Sequence, residues 1–148
     1  MINILKNGNQ NFDDQNYYEA IKCYTKIKNK NIEIYQKRAE SYIGLGNYYE
    51  APEDCEKMIQ MNENFVKGYI LLSYCYIQRG MFKTAYNWCN KFPDQNNKEI
   101  IKEKKHILYI NDTYNNIIKH KLELHKIELN LKKILKYVSV PLILKSIY

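Results

Sequence analysis

The sequence predicts an all-α fold, a solenoid of three helical hairpins followed by a C-terminal capping and extended helix. Two observations carry this reading. Gly46, Tyr48 and Ala51 return 34 residues later as Gly80, Phe82 and Ala85, and 31 residues earlier as Gln15, Tyr17 and Ala20, with only the glycine replaced. After Phe92-Pro93 the beat stops, and large apolar residues then recur every seven positions.

Aligning the units on Ala20, Ala51 and Ala85 gives each column a physical role. Twelve residues upstream stand Gly8, Ala39 and Ser73. Two antiparallel helices joined by a tight turn approach closely only where side chains are small, so these residues should face the alanines across each hairpin. Sixteen upstream are Ile4, Tyr35 and Tyr69, and four downstream are Tyr24, Cys55 and Cys89, the expected core. The aromatics Tyr17, Tyr48 and Phe82 should plug the open end of each hairpin. Gly46 and Gly80 fall just past the first helix, where the chain turns through a left-handed conformation. One hairpin cannot bury both its faces, so units stack, and about three are needed for independent stability.

The stretches "NGNQNFDDQNYYEAIKCYTK", "RAESYIGLGNYYEAPEDCEK" and "LSYCYIQRGMFKTAYNWCNK" resemble the tetratricopeptide repeat (TPR). The resemblance covers residues 2–95, in units of about 2–31, 32–64 and 66–95, and implies a right-handed α-solenoid. Three departures follow from the alignment. Ile27, Met58 and Phe92 fill the second small position of the family's second helix, so packing between units should be looser or differently angled. Unit one is three residues short, which trims its second helix near Lys28–Asn31. Pro52 lies near the first turn of the second helix of unit two, where a missing N–H costs little.

Pro93 and Asp94 end the third hairpin, and "KEIIKEKKHILYI" opens a further helix with Asn97 as its N-cap. Ile100, Ile101, Leu108 and Ile110 suit the task of covering the last unit. Residues 97–138 are read as this capping helix plus an amphipathic extension, either continuous or broken at "NDT" (111–113). In the extension Ile117, Leu124, Leu131 and Val138 recur every seven residues, with Ile127 and Ile134 between them and His120 interrupting the second series. A seam of about three heptads suits the chain's own array, a partner helix, or an anionic membrane surface. A partner helix includes one from a second copy, so self-association is allowed. Pro141 is expected to end any helix, leaving 139–148 as an apolar tail.

Composition excludes several classes. Hydrophobic residues make up 45% of the chain, an ordinary globular value. The net charge of +7 is uneven: residues 98–148 hold 11 basic and 5 acidic groups, a balance of +6. No aromatic-basic platform accompanies these lysines and only two of the 23 basic residues are arginine, so nucleic acid is not an expected partner. The four cysteines form no C-x-x-C pair and read as apolar filler in a reducing compartment. No signal peptide opens the sequence and no run of about 18 apolar residues could span a bilayer, so the cytoplasm is the expected location. Nor is there a P-loop, G-x-S-x-G or H-E-x-x-H motif, and the carboxylates read as scattered over solvated faces. His106, His120 and His125 lie among lysines, the last two on different faces of the helix. No enzyme, metal or cofactor is expected.

Binding is the better-supported chemistry. Some TPR domains hold the C-terminal peptides of Hsp70 and Hsp90 in a carboxylate clamp, and "GNQNF", "EAIKCYTK" and "NFVKGY" are similar to that subset. On this resemblance Asn9 matches the clamp asparagine of unit one and Lys67 the lysine opening unit three. Leu5, Lys37 and Leu71 stand where the subset has lysine, asparagine and arginine. Lys37 retains a cation. The lost arginine removes a bidentate fork that lysine cannot imitate, and the two leucines offer an apolar lining instead. "KTAYNWCNKF" with the following helix also looks like the tetratricopeptide protein 4 group of Hsp90 co-chaperones. The implied function is a non-enzymatic adaptor holding a peptide in the groove of the first helices, of Hsp90/Hsp70 co-chaperone type. The alternative is a scaffold subunit attached through its C-terminal helix.

Overall fold

The computed structural model describes the backbone of residues 2–145 and the side chains of residues 3–136. The side chain of Val138, the last of the expected seam, lies outside the described residues, as do residues 146–148 of the expected apolar tail. The elements are α1 (Ile2–Asp13), α2 (Tyr17–Lys26), α3 (Ile32–Gly44), α4 (Ala51–Met61), α5 (Val66–Gln78), α6 (Phe82–Asn90) and α7 (Lys98–Lys145). No strand occurs among the described residues. One compact unit ends at Leu108 and a second, helical unit begins at Tyr109.

The three hairpins α1–α2, α3–α4 and α5–α6 turn in the same way. In each, the residue at the turn takes a left-handed conformation: Gln15 at φ 59°, Gly46 at φ 71° and Gly80 at φ 71°. The amides of these residues bond back to Phe12, Ile43 and Ile77 at 3.0, 2.9 and 2.9 Å. Those of the next residues, Asn16, Asn47 and Met81, reach Asn11, Tyr42 and Tyr76 at 2.7, 2.8 and 2.8 Å. This double closure is the Schellman motif, which satisfies carbonyls orphaned at the helix end. Gln15 adopts it despite its Cβ. Gln15→Gly should therefore stabilise the chain by about 0.5–1 kcal/mol and raise the melting temperature by a few degrees. An unchanged or lower midpoint in thermal denaturation contradicts this.

The aligned columns occupy equivalent surroundings. Ala20, Ala51 and Ala85 are fully buried, as are Ala39, Ser73, Tyr24, Cys55 and Cys89. The facing pairs also compensate in size. A Cβ on Gly8 would stand 2.9 Å from the Tyr24 ring, so glycine is needed where the partner is tyrosine. Ala39 and Ser73 occur in the units whose corresponding partner is cysteine.

The aromatic after each turn does more than close its hairpin. A Cβ on Gly44 of α3 would come within 2.4 Å of the Tyr17 ring, so Tyr17 packs against the next unit. Tyr48 likewise meets Tyr74 of α5 edge-on, with ring centroids 6.1 Å apart. The bulky column Ile27, Met58 and Phe92 is buried at 4%, 0% and 3% exposure. Gly68 of α5 makes room beside α4: a Cβ there would stand 3.0 Å from Ile59 Cγ1 and 3.6 Å from Met58 Cβ.

Two local features follow from single residues. α2 stops at Lys26, and α3 starts behind Asn31, whose Oδ1 accepts the Ile34 N–H at 3.0 Å. α4 begins only at Ala51, although its counterparts begin at Tyr17 and Phe82. Pro52 has no N–H to give the Tyr48 carbonyl, so Tyr48–Glu50 stay in a turn and proline sits at the helix start.

The carboxylates are not all solvated. Asp54 is 1% exposed and forms a two-pronged pair with Arg38 of α3, Nε to Oδ2 at 2.8 Å and Nη2 to Oδ1 at 2.6 Å. Arg38 Nη1 also reaches Thr25 Oγ1 at 3.3 Å, joining unit one to unit two. Burial pushes the Asp54 carboxyl upward and Arg38 opposes that push. The bond to Asp54 holds the guanidinium more firmly charged.

α7 starts as expected, with Asn97 Oδ1 accepting the amides of Glu99 and Ile100 at 3.0 and 3.2 Å. Among its described side chains Ile100 and Ile107 are the buried apolar ones, whereas Leu108 is 48% exposed. Positions 100 and 107 share a face, and 108 stands about 100° away, so the expectation for Leu108 was one residue out of phase. Glu103, on the buried side, accepts the Ser73 hydroxyl at 2.7 Å. The helix is unbroken at 111–113, where Thr113 Oγ1 bonds the Tyr109 carbonyl at 2.8 Å. It also continues past Pro141, correcting the expected end there. A proline inside a helix removes one backbone bond and crowds the preceding turn, a cost of about 3 kcal/mol that a kink can absorb without ending the helix. In the second unit Ile117, Leu124, Ile127, Leu131 and Ile134 are 50–62% exposed, so the seam stays open to solvent within the described residues.

Candidate functional site

Equivalent positions on α1, α3 and α5 line up as columns. Leu5, Gln36 and Ile70 form one, Lys6, Lys37 and Leu71 the next, and Asn9, Glu40 and Tyr74 a third. Residues three and four apart share a helix face, so the columns make one face across the first helices of the three units, largely polar on α1 and α3 and apolar or aromatic on α5. Lys67 stands one turn earlier on α5.

Packing fixes most of these side chains. Asn9 Oδ1 accepts the Tyr24 hydroxyl at 3.0 Å, which orients the amide so that its N–H groups are turned away from Tyr24. Burial raises the Tyr24 phenol well above its ordinary range, so it remains a donor. Lys37 Nζ sits 5.2 Å from the centre of the Phe12 ring, a cation–π contact linking α3 to α1. Lys67 Nζ pairs with Glu40 Oε1 at 3.2 Å, linking α5 to α3, and Gln36 Nε2 donates to the same oxygen at 3.1 Å. Leu5 and Asn9 line an open pocket of about 380 Å³ with Lys6, Gln10 and Asp13. Leu71, at 8% exposure, is sunk into the core beside Leu72 and offers the face little surface.

Sequence reasoning thus placed Leu5, Asn9, Lys37 and Lys67 on this stripe, with Leu71 beneath it. It passed over Lys6, Phe12, Gln36 and Glu40. The repeat register held the missing signal, because Glu40 occupies the same column as Asn9. The stripe offers lysine ammonium groups and an amide donor, suited to a carboxylate or a backbone carbonyl. It has no free guanidinium fork: Arg38 is held by Asp54, and Arg79 lies over the rings of Tyr49 and Tyr76 at 4.4 and 5.3 Å.

Elsewhere the chemistry is quiet. No group of three His, Cys, Asp or Glu side chains among the described residues is placed to hold a metal ion. His106, His120 and His125 each lie beside a glutamate three positions away. Burial pushes the Cys75 and Cys89 thiols up to about 11, and Cys55 well above its ordinary value, which keeps them inert at neutral pH. No helix among the described residues is long and apolar enough to cross a membrane.

No known family model matches the chain. Sperm-associated antigen 1 of Homo sapiens is 37% identical over 69 residues, 45% of this chain and 8% of that protein. The Hsp70-Hsp90 organizing protein of Triticum aestivum is 40% identical over 65 residues, 42% of this chain and 11% of that one. The chain therefore spans about a tenth of the length of these relatives. Among solved structures, the first TPR of Spaghetti (RPAP3) bound to the HSP90 peptide SRMEEVD superposes with a TM-score of 0.61 at 25% identity. That match covers 73% of this chain and 90% of the other. Three equivalent hairpins with shared turn geometry, and this likeness, make the chain a tetratricopeptide-repeat protein in fold, similar to the TPR domains of Hsp70/Hsp90 co-chaperones.

Proposed function

We propose that the chain is a non-catalytic cytoplasmic adaptor of co-chaperone type, whose first-helix stripe holds a short peptide by its acidic C-terminus. One observation carries this reading: Asn9, Lys37 and Lys67 come from the first helices of the three units, Asn9 oriented by Tyr24 and the two lysines tied to the neighbouring first helix through Phe12 and Glu40. The solved TPR of Spaghetti, bound to a peptide ending in EEVD, supports the choice of ligand chemistry. Calorimetric titration with SRMEEVD tests it. Lys67→Ala, and separately amidation of the peptide C-terminus, should each weaken binding by about two- to fivefold, the scale of one partly exposed charge contact. No heat at ~100 μM protein, an ordinary weak-binding regime, removes the chaperone version while leaving an adaptor for another peptide.

A second reading is favoured by the open seam of α7, from Ile117 to Ile134. On it the chain is a scaffold subunit attached to an assembly by that helix. Light scattering after size exclusion at ~100 μM separates one form of it, since a monomer mass contradicts a self-associating seam.

A further inference from the structure

We infer that Glu40 is a built-in competitor for Lys67 and thereby sets which peptides the first-helix face accepts, an inference that rests on the peptide-binding reading above. The Glu40 carboxylate already occupies the Lys67 ammonium at 3.2 Å. Gln36 donates to the same oxygen at 3.1 Å, which favours the rotamer that points the carboxylate at Lys67. The Glu40 side chain is 23% exposed against 46% for Lys67, so the acid sits deeper on the face and the ammonium is the more solvent-exposed partner.

An acidic peptide reaching Lys67 must therefore break an existing ion pair. It must also place its own charge beside the Glu40 carboxylate, which Gln36 holds on the same side. Both effects act against anionic peptide side chains near Lys67, and like charges brought together across an interface discriminate strongly between ligands. A neutral, hydrogen-bonding side chain at the same place meets neither. At the position facing Lys67 the face should consequently discriminate little between an acidic peptide side chain and its amide counterpart, while the terminal carboxylate still contributes. Glu40→Gln removes the charge while keeping the shape and an acceptor for Gln36.

Fluorescence polarisation with labelled SRMEEVD and SRMQQVD tests this in the full chain, in Glu40→Gln, in Lys67→Ala and in the double variant. Glu40→Gln should tighten SRMEEVD by about tenfold and change SRMQQVD by less than about threefold, and Lys67→Ala should abolish the gain. Unchanged melting temperatures across the variants confine the effect to binding. If Lys67→Ala weakens SRMEEVD while Glu40→Gln leaves both peptides unchanged, the competitor role is overturned and the peptide reading stands. If Glu40→Gln tightens both peptides equally, the role in selectivity is overturned. Absence of binding by all four proteins overturns the competitor role together with the peptide reading.

Discussion

Replacing Asp54 by alanine should lower the unfolding free energy by about 3–5 kcal/mol, because it leaves a guanidinium largely buried without its counter-ion. Arg38 is 15% exposed on its side chain and spends two of its donors on Asp54. It cannot swing to solvent without abandoning Thr25 and its place over the Tyr35 ring. Against a typical total of about 5–15 kcal/mol, the loss is enough to unfold much of the population under mild denaturation. Urea unfolding followed by circular dichroism measures it. The pair itself is not the source of the stability, so Arg38→Met combined with Asp54→Leu should recover most of the loss. A loss below about 1 kcal/mol for Asp54→Ala contradicts the burial argument.

Leu72→Ala should cost about 3 kcal/mol, as transfer free energy plus an unfilled cavity. Leu72 is fully buried in the cluster of Ala39, Ala51, Cys55, Met58 and Cys75, between units two and three. Ala39, Ala51, Cys55 and Cys75 already let the helix backbones approach closely, and Met58 with the surrounding aromatic rings fills the rest, so the walls have little further to collapse. In a stack where each unit touches only its neighbours, a weakened junction also erodes cooperativity, and the denaturant slope should fall. Leu45→Ala, at 50% exposure, is the matched control and should change stability by less than about 0.5 kcal/mol. Equal effects at the two leucines contradict the assignment of the core.

The repeat was readable because its constraints are steric and local. Gly46 and Gly80 announce a left-handed turn, and Ala20, Ala51 and Ala85 announce close helix contact. Gln15 shows that a turn can persist after its signal residue is lost, when both neighbouring backbone bonds remain. What escaped the sequence reading was pairing across units. Arg38 and Asp54 lie on different helices, and charged residues in isolation read as solvated; only the register of α3 against α4 turns them inward. Glu40 was missed for a related reason, since its meaning comes from Lys67 on the next unit. Leu71 looked like groove lining until the rotation of α5 placed it beside Leu72.

Amide chemical-shift mapping during titration with SRMEEVD addresses the central claim most directly. The stacked-hairpin account expects the shifts to cluster on α1, α3 and α5, at Lys6, Asn9, Lys37, Glu40, Lys67 and Tyr74. Saturable shifts confined to α2, α4 and α6, or to α7 beyond Leu108, contradict it.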